Sequence, residues 1–353
     1  MKLDQAKQVR KGEELDASLL QDYLQKDIQG FGNIVDIAQF PGGFSNLTYL
    51  LTTDKDKEYV LRRPPFGANI KSGHDMGREF RVLSLLEKAD FKQIPRPLSM
   101  EASCDVLGAP FYVMERLNGV ILRANDAPKL DFTATQMTSL CNKLIENLAH
   151  LHSLDIETTE LATLGKPEGY VKRQVEGWIK RYKNSQTDEV KNMNIVAEWM
   201  LSFEPRPQKP CFLHNDYKFD NVVWQADMSD IIGVLDWEMS TVGDPLMDLG
   251  AALAYWCEAE DSDFSKMFNL TWLNGCLTRQ EVIDKYAALT GRDLTDIHFY
   301  YIFGLYKNAV IMQQIYARWK QGLTKDPRFG ALIHGVFELS KMAKKTLEKL
   351  TTN

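Results

Sequence analysis

The stretch His214-Asn-Asp-Tyr-Lys-Phe-Asp-Asn221 is the most informative part of this 353-residue chain. It places a histidine, an aspartate and an asparagine at the spacing H-x-D-x-x-x-x-N, and an apolar run at 231–235 leads on to Asp236. Because the apolar run predicts a buried strand, the Asp236 carboxylate is expected where that strand ends. The motif alone also fits ordinary polar residues of a loop, but the added carboxylate favours a functional loop.

Phosphoryl transfer is the chemistry that these residue types suit. The reaction needs a carboxylate to orient the attacking hydroxyl group and accept its proton, and ligands that hold cations against the phosphates. Asp216 is the candidate base. The amide oxygen of Asn221 and the carboxylate of Asp236 are candidate ligands for Mg²⁺, which prefers hard oxygen donors.

The composition is that of a globular protein and limits the classes of partner. The chain is 44% hydrophobic and 25% charged, and its net charge of -6 argues against a nucleic-acid binder that relies on a broad basic field. The charged N-terminal segment predicts no secretory signal, and no apolar run reaches the roughly 20 residues that a membrane span needs. Five scattered cysteines without a CxxC pair predict reduced thiols in a cytoplasmic protein.

The order of predicted elements changes near residue 120. Apolar and polar residues before it predict antiparallel strands at 34–37, 47–51, 59–62 and 111–114, with one helix at 76–88. Helical periodicity dominates the rest of the chain. The pattern predicts an α+β protein with a small β-rich N-terminal lobe and a larger, mainly helical C-terminal lobe.

We predict that the two lobes meet at a connector, residues 114–119. Residues 1–115 would form an N-terminal nucleotide-binding lobe, and residues 116–353 a C-terminal lobe that carries the catalytic loop and binds the acceptor. A cleft between two lobes would keep water away from a bound nucleotide.

Short β segments interrupt the helices of the C-terminal part. They are predicted at 211–213, 222–224 and 231–235, around and after the catalytic-loop motif. Further along, Thr278 and Glu281 have the spacing of a capping box and predict the start of a helix.

Two more motifs follow the loop, Asp236-Trp-Glu238 and Gly243-Asp-Pro-Leu-Met-Asp-Leu249. Together with the loop, they resemble the aminoglycoside phosphotransferase and choline kinase superfamily, whose members are distant relatives of protein kinases. The resemblance extends over about residues 40–250. It implies a bilobal protein-kinase-like fold, ATP as the phosphate donor, Mg²⁺ as the metal and a small-molecule hydroxyl group as the acceptor.

Within that superfamily, the chain is most similar to the kinase-like domains found fused to acyl-CoA dehydrogenases. Three stretches carry this similarity: Gly42-Gly-Phe-Ser-Asn-Leu-Thr-Tyr49, Tyr59-Val-Leu-Arg-Arg-Pro-Pro65 and Arg78-Glu-Phe-Arg-Val-Leu83. The oligomeric state does not follow from the resemblance, and monomer and homodimer both stay open.

The resemblance assigns roles to the acidic and amide groups of the loop. Asp216 is similar to the family's catalytic aspartate, and Asn221 and Asp236 look like its magnesium ligands. Glu238 would join the metal shell, as in relatives with a D-x-E segment, or have a structural role.

Two further residues of the loop receive supporting roles. His214 is expected to hold the loop by hydrogen bonding rather than to transfer protons. Lys218 stands where many protein kinases have a lysine on the γ-phosphate; the alternative is a solvated surface lysine.

The resemblance places the phosphate-covering turn between the first two strands. Glycines there let backbone N–H groups approach a phosphate, although Pro-Gly-Gly also makes an ordinary hairpin loop. The residues of this turn are Gly42, Gly43, Phe44, Ser45 and Asn46.

Kinases generally pair a strand lysine with a helix glutamate, so that the cation holds the α- and β-phosphates. Arg62 stands at the position of that lysine, and Glu79 is its matching partner. An arginine fork can hold phosphate and carboxylate oxygens, but it is bulkier than lysine, so whether it fully replaces lysine stays open.

The connector and the last motif complete the comparison. Glu115 and Leu117 lie where the family's backbone N–H and C=O groups contact the edge of adenine. Asp244 and Asp248 are expected to tie the loop after Asp236 to neighbouring backbone, which is a structural role.

Two charge patterns point to different acceptors. The acidic segment 258–263 would suit a cationic aminoglycoside, although such a run is usually a solvated loop. Basic and aromatic residues of the same lobe would suit an anionic acceptor such as a hydroxylated acyl-CoA, which we favour, or they are packing aromatics beside surface arginines. These residues are Lys172, Arg173, Arg181, Arg318, Trp178, Tyr182, Tyr316 and Trp319.

Two classes of function therefore remain. The first is an ATP-dependent phosphotransferase that acts on a small-molecule hydroxyl group. The second is a non-catalytic nucleotide-binding module that retains the fold. The presence of Asp216, Asn221 and Asp236 together favours the first.

Overall fold

The computed structural model describes residues 5–41, 46–66, 75–324 and 326–351. Gly42, Gly43, Phe44 and Ser45 of the predicted phosphate-covering turn lie outside the described residues, whereas Asn46 is described and buried. Among the helices in these ranges, none has both the length and the apolar character needed to cross a membrane.

The chain forms two compact units. The first comprises residues 1–121, 158–161 and 221–239, and the second comprises residues 122–157, 162–220 and 240–353. The segment that directly follows the catalytic-loop motif in sequence thus belongs to the same unit as the N-terminal residues. The functional lobe boundary at 114–119 stays a prediction.

An antiparallel sheet forms the centre of the first unit. In the described residues its six strands have the order β1-β2-β3-β4-β6-β5. The strands predicted at 34–37, 47–51, 59–62 and 111–114 are confirmed. The strands are Lys7–Gln8 (β1), Ile34–Gln39 (β2), Leu47–Thr53 (β3), Glu58–Arg63 (β4), Pro97–Glu101 (β5) and Phe111–Glu115 (β6).

In the described part of the first unit, two helices accompany this sheet, although the sequence pattern predicts only one. The unpredicted helix is Ala17–Asp27 (α1), which places Leu20 and Leu24 in the hydrophobic core beside the sheet. Only these two side chains of α1 are buried, so its apolar stripe is short and its packing against the sheet stabilises it. The local indication was Asp16, whose carboxylate accepts hydrogen bonds from the first backbone N–H groups.

The predicted helix at 76–88 is confirmed as Met76–Lys88 (α2). The Asp75 side chain caps it by accepting a hydrogen bond of 2.9 Å from the Arg78 N–H. Besides apolar residues such as Leu83, α2 buries the carboxylate side chain of Glu79. A buried acid on an otherwise apolar face requires a charged or hydrogen-bonding partner.

Two short strand pairs follow in the second half of the chain. Cys211–Leu213 (β7) pairs with Thr241–Gly243 (β10) in the second unit. Val222–Trp224 (β8) and Ile231–Val234 (β9) form an antiparallel hairpin in the first unit. The predicted β segments are therefore confirmed, the last of them one residue shorter than expected.

Helices make up most of the second unit. The capping box predicted at Thr278 and Glu281 is confirmed at the start of α8. The helices are Ala134–Leu151 (α3), Tyr170–Ser185 (α4), Lys191–Ser202 (α5), Pro245–Tyr255 (α6), Asp263–Lys266 (α7), Arg279–Thr290 (α8), Ile297–Lys320 (α9) and Leu332–Thr351 (α10).

A close crossing of α6 and α9 decides which side chains reach the catalytic loop. A Cβ atom on Gly304 would lie 2.4 Å from the backbone oxygen of Gly250, so these helices approach each other only because both positions are glycine. Lys307 follows one turn after Gly304, and the crossing brings it to the loop at Asn215.

Candidate active site

The start of the catalytic-loop motif is anchored by Asp248 of α6. Its Oδ2 accepts a 2.6 Å hydrogen bond from the His214 N–H, and its Oδ1 accepts a 2.8 Å bond from the Asn215 N–H. His152 contacts Oδ2 at 3.1 Å, and neither side chain is exposed. Asp248 therefore ties down the catalytic loop itself, which corrects the expectation that it ties the loop after Asp236.

The pKa of the Asp248 carboxyl group is lowered, which favours the charged form of this hydrogen-bond acceptor. Burial alone would raise the pKa of this carboxyl group, but the contact with His152 and the N–H donors of the loop outweigh burial and lower the pKa. Asp244, expected to act in the same way, instead caps α6 by accepting a 2.9 Å hydrogen bond from the Leu246 N–H. It also accepts a 2.8 Å bond from the Tyr300 hydroxyl group.

Asn215 has a left-handed backbone with a φ of 66°. Residues other than glycine rarely have a left-handed backbone, although asparagine and aspartate tolerate it best. Residues held in this conformation often lie at functional sites. The side-chain Nδ2 of Asn215 donates a 3.2 Å hydrogen bond to the Tyr170 hydroxyl oxygen. Lys307 Nζ donates a 2.5 Å hydrogen bond to the backbone carbonyl oxygen of Asn215.

The carboxylate of Asp216 lies against a lysine of its own loop. The Lys218 Nζ donates to both oxygens, at 3.2 Å and 2.9 Å, and the Asp216 side chain is 15% exposed. Burial would raise the pKa of Asp216, but Lys218 and Lys307 outweigh burial and lower the pKa. Asp216 is therefore ionised at neutral pH, as a general base must be.

Lys218 is enclosed rather than solvated. Its side chain is 20% exposed, and Nζ lies 4.5 Å from the centroid of the Tyr255 ring of α6. Burial would lower the pKa of Lys218, but Tyr255 and Asp216 raise it overall, so the ammonium stays charged. This environment disfavours the alternative of a solvated surface lysine.

His214 is fully buried and contributes to the geometry of the loop. Its Nδ1 accepts a 3.2 Å hydrogen bond from the Asp216 N–H. This contact agrees with the expected supporting role, which stays a prediction.

The β8–β9 hairpin of the first unit brings the two predicted magnesium ligands together. Val222 pairs with Val234, and one residue further along the Leu235 N–H donates a 2.8 Å hydrogen bond to the Asn221 carbonyl. Asn221 and Asp236 therefore lie at the same end of the hairpin. Asp236 has a left-handed φ of 67°, a second strained position at the site.

Arg62 of β4 joins two carboxylates of the first unit. Its Nη1 donates to Glu79 of α2, and its Nη2 lies 3.6 Å from Oδ1 of Asp236. Burial lowers the pKa of the Arg62 guanidinium, but Glu79, Asp236 and other neighbours including Glu238 outweigh burial and raise the pKa. The predicted Arg62–Glu79 pair is thus present, and it extends to Asp236.

The donors available for a metal are a carboxylate and an amide. Among the described residues, no group of three or more His, Cys, Asp or Glu side chains is arranged to hold a metal ion. Asn221 and Asp236 suit Mg²⁺ all the same, because this ion usually takes one or two protein ligands and fills the other positions with phosphates and water. Glu238 follows in the short helix Trp237–Met239.

The predicted adenine-contacting segment begins at the C-terminal end of strand β6 in the first unit. Glu115 is exposed at the end of β6, where its N–H donates a 2.8 Å hydrogen bond to the Arg96 carbonyl. Leu117 packs on the β8–β9 hairpin, where a Cβ on Gly233 would lie 2.1 Å from Cδ1 of Leu117. The roles of both residues in nucleotide binding stay predictions.

The acidic segment 258–263, which the sequence pattern interpreted as either a solvated loop or a site for a cationic aminoglycoside, is partly neutralised. Arg279 donates through Nη1 to Glu258 at 3.0 Å and through Nη2 to Asp261. The backbone N–H of Arg279 adds a 2.7 Å hydrogen bond to Glu258. Two carboxylates of the segment are therefore engaged within the second unit.

Two of the basic residues predicted to suit an anionic acceptor differ in their contacts. Arg173 donates to the backbone carbonyls of Lys166 and Glu168, so its guanidinium has a local structural role. Arg181, in contrast, lies over the Trp178 ring at 4.4 Å and is exposed.

Sequence reasoning missed Lys307, His152 and Tyr255. Lys307 was the most detectable of the three, because it is an isolated lysine in the apolar part of α9. A lone charge on a buried face requires a partner.

Comparison with known proteins identifies the family. Residues 36–288 match the family model described as "Phosphotransferase enzyme family" (APH). The chain belongs to the APH phosphotransferase enzyme family. Its predicted class, a kinase-like phosphotransferase, is thereby confirmed.

Curated relatives support the predicted subfamily. Rat acyl-CoA dehydrogenase family member 11 is 32% identical over 315 residues, covering 87% of this chain and 40% of the relative. Mouse acyl-CoA dehydrogenase family member 10 is 30% identical over 313 residues, covering 84% of this chain and 28% of the relative. The chain thus spans two fifths or less of the length of these relatives.

Solved structures confirm the protein-kinase-like α+β fold. A putative aminoglycoside phosphotransferase from Ralstonia eutropha JMP134 has a TM-score of 0.79 at 26% identity, covering 95% of this chain and 99% of that one. Choline kinase from Cryptosporidium parvum Iowa II has a TM-score of 0.66 at 13% identity, covering 95% of this chain and 97% of that one. At 13% identity the second similarity shows the fold alone.

Proposed function

We infer that the protein transfers the γ-phosphoryl group of ATP to a hydroxyl group of a small molecule, with Asp216 as the catalytic base. The observation that carries the proposal is the geometry of Asp216, whose carboxylate accepts hydrogen bonds from Lys218 on a loop that Asp248 clamps through two backbone N–H groups. An oriented carboxylate is the group that this reaction needs from the protein.

In the proposed reaction, the acceptor oxygen forms a bond to the γ-phosphorus while the bond from that phosphorus to the β,γ-bridging oxygen breaks and ADP leaves. The hydroxyl proton passes to Asp216. Lys218, which lies on Asp216, supplies positive charge near the reacting group.

The nucleotide and its metal use groups of the first unit. Asn221 and Asp236 would hold Mg²⁺, which neutralises charge on the phosphates when bound. Arg62, oriented by Glu79, would contact the α- and β-phosphates, and the turn at 42–46 would cover them. The backbone at Glu115 and Leu117 would contact adenine.

For the acceptor we favour an anionic metabolite of the hydroxyacyl-CoA kind over an aminoglycoside. Arg279 already neutralises carboxylates of the acidic segment, whereas the Arg181 guanidinium is exposed on the Trp178 ring. The similarity to acyl-CoA dehydrogenase family members points to the same class of compound. We place the protein in the cytoplasm, since all five of its cysteines are free thiols.

The test measures ADP formation and phosphorylated product with ATP, Mg²⁺ and a panel of hydroxyacyl-CoAs, amino alcohols and aminoglycosides. We expect turnover with an anionic acceptor by the wild type and its loss in Asp216→Asn. Asp227→Asn, at the exposed tip of the hairpin, is the control and should match the wild type. Equal turnover in wild type and Asp216→Asn would refute the proposed base.

The same panel separates the alternative function. If the wild type binds ATP in a titration with Mg²⁺ but yields no ADP with any acceptor, the non-catalytic nucleotide-binding module becomes the better interpretation. Raised aminoglycoside tolerance in cells expressing the protein would contradict the acceptor that we favour.

A further inference from the structure

Lys307 is a buried ammonium in the apolar middle of α9. The residue is 3% exposed, and its Nζ lies 5.9 Å from the centroid of the Trp178 ring. Placing an ammonium group in such surroundings is costly unless hydrogen bonds and opposite charges compensate for lost water. Burial lowers the pKa of Lys307, and the charges of Asp216 and Asp248 offset part of that effect.

The first partner is the backbone of the catalytic loop. Nζ of Lys307 donates a 2.5 Å hydrogen bond to the carbonyl oxygen of Asn215. That carbonyl belongs to the peptide group that joins Asn215 to Asp216. The N–H of the same peptide group donates to Nδ1 of His214 at 3.2 Å.

Both polar groups of this peptide are thus held, and its plane is fixed. Since the peptide plane contains the N and Cα atoms of Asp216, fixing the plane fixes the position of that Cα and the bond axis from which the Asp216 side chain departs. Asn215 has a left-handed φ of 66°, a conformation that persists only when surrounding contacts hold it.

The second partner is the charge of Asp216. The charged and titratable groups that face Lys307 are Asp216, Asp248, Lys218 and Arg181. Those that face Asp216 include Lys218, His214 and the like-charged Asp220 of its own loop, Lys307 of α9 and Tyr255 of α6. Lys307 is the cation that α9 contributes to this group, in addition to the local Lys218.

We propose that Lys307 is a positioning residue for phosphoryl transfer, which holds the Asn215–Asp216 peptide in its strained conformation and keeps the Asp216 carboxylate oriented and ionised. The proposal rests on the function proposed above. It gives the buried cation on α9 a role in the proton-accepting step without contact to either substrate.

The test compares Lys307→Met and Lys307→Arg with Gln313→Met. Gln313 is a matched control, because it is a fully buried polar residue on the same helix and donates to the Ser185 carbonyl at 2.7 Å, away from the loop. We expect Lys307→Met to lower kcat by roughly 100-fold with little change in the KM for ATP.

The pH dependence of kcat/KM should change as well. In Lys307→Met the loss of activity on the acid side should begin at higher pH than in the wild type, because losing a neighbouring positive charge raises the pKa of Asp216. Lys307→Arg should restore part of kcat, and Gln313→Met should leave the pH profile unchanged.

A second measurement does not depend on turnover. Hydrogen–deuterium exchange of the amides at 215–217 should be faster in Lys307→Met than in the wild type and in Gln313→Met. Unchanged exchange in folded Lys307→Met would overturn the proposal even if the protein is an active kinase. Faster exchange in a protein that never forms ADP would instead overturn the proposed function and keep the structural role of Lys307. An unshifted acid limb, or equal kcat losses in Lys307→Met and Gln313→Met, would also overturn it.

Discussion

The guanidinium of Arg62 bridges Glu79 and Asp236. One terminal nitrogen donates to the Glu79 carboxylate, and the other lies 3.6 Å from Oδ1 of Asp236. A lysine has a single ammonium and no planar fork, so it would not reproduce both contacts in this geometry. The arginine at this position therefore links the helix glutamate directly to a predicted metal ligand.

The buried end of this bridge should contribute strongly to stability. Arg62→Met leaves the Glu79 side chain, which is 3% exposed, without its cation. We expect the free energy of unfolding to fall by about 3–5 kcal/mol, since breaking one side of a buried ion pair leaves an uncompensated charge. Denaturant titration measures this change.

The control for Arg62 is Lys88→Met on α2. Lys88 contacts Glu160 at 3.6 Å, and both side chains are 64% exposed. Such a surface pair contributes about 0–1 kcal/mol, so the control should lie close to the wild type. If Arg62→Met reduced the free energy of unfolding as little as Lys88→Met does, the buried ion pair would contribute no more to stability than a surface pair, which would contradict this prediction.

Removing the charge of Asp236 should weaken metal-dependent nucleotide binding. In Asp236→Asn the site keeps the amide of Asn221 but loses its carboxylate, so Mg²⁺ should bind at least roughly 10-fold more weakly in the presence of ATP. A titration of ATP binding against Mg²⁺ concentration checks this. Asp227→Asn, in the same hairpin, should retain the wild-type metal dependence.

Lys218→Met tests whether this lysine acts on the transferred group. Because Lys218 lies on the Asp216 carboxylate, its loss should reduce kcat by about 10²–10³-fold, in the range seen when one electrostatic donor is removed. Steady-state kinetics with varied ATP provide the measurement. A change confined to the KM for ATP would place Lys218 in ground-state binding instead.

Acid should destabilise the protein partly through Asp248. Its pKa is lowered in the folded state, because the His152 contact and the loop N–H donors outweigh the effect of burial. The unfolded chain therefore takes up this proton first, at a pKa of about 4. The stabilising contribution is present above that pH and is lost as pH falls through the folded-state pKa.

Asp248→Asn should consequently lower stability at pH 7 by about 3 kcal/mol and show a shallower loss of stability in acid than the wild type. Asp244→Asn is the contrasting variant on the same helix. Burial raises the pKa of Asp244 despite its hydrogen bonds, so the folded protein binds this proton more tightly than the unfolded chain does. The contribution of Asp244 to the free energy of unfolding therefore increases as pH falls from the folded-state pKa towards the unfolded pKa. Unfolding free energies between pH 3 and 7 measure both slopes. Identical slopes in wild type and Asp248→Asn would contradict the charged anchor.

Local sequence was enough for several parts of the structure. The strands at 34–37, 47–51 and 59–62, helix α2 and the capping box of α8 follow from periodicity and from contacts between residues close in sequence, whereas the short strands β1 and β10 were not predicted. The hairpin that brings Asn221 beside Asp236 is also local, because two short strands joined by a turn fix their own register. Helix α1 was missed because its two buried leucines form a helical face only when the sheet covers them.

The sequence by itself therefore indicated the family, the protein-kinase-like fold, the candidate base and the candidate metal ligands. Tertiary structure alone decided what holds the catalytic loop. Lys307 and Asn215 are 92 residues apart, and Asp248 reaches the loop from 33 and 34 residues away. Spacing along a chain carries no information at such separations. These contacts exist because two glycines let α6 and α9 cross closely enough to bring a buried cation and a buried carboxylate to the same short loop.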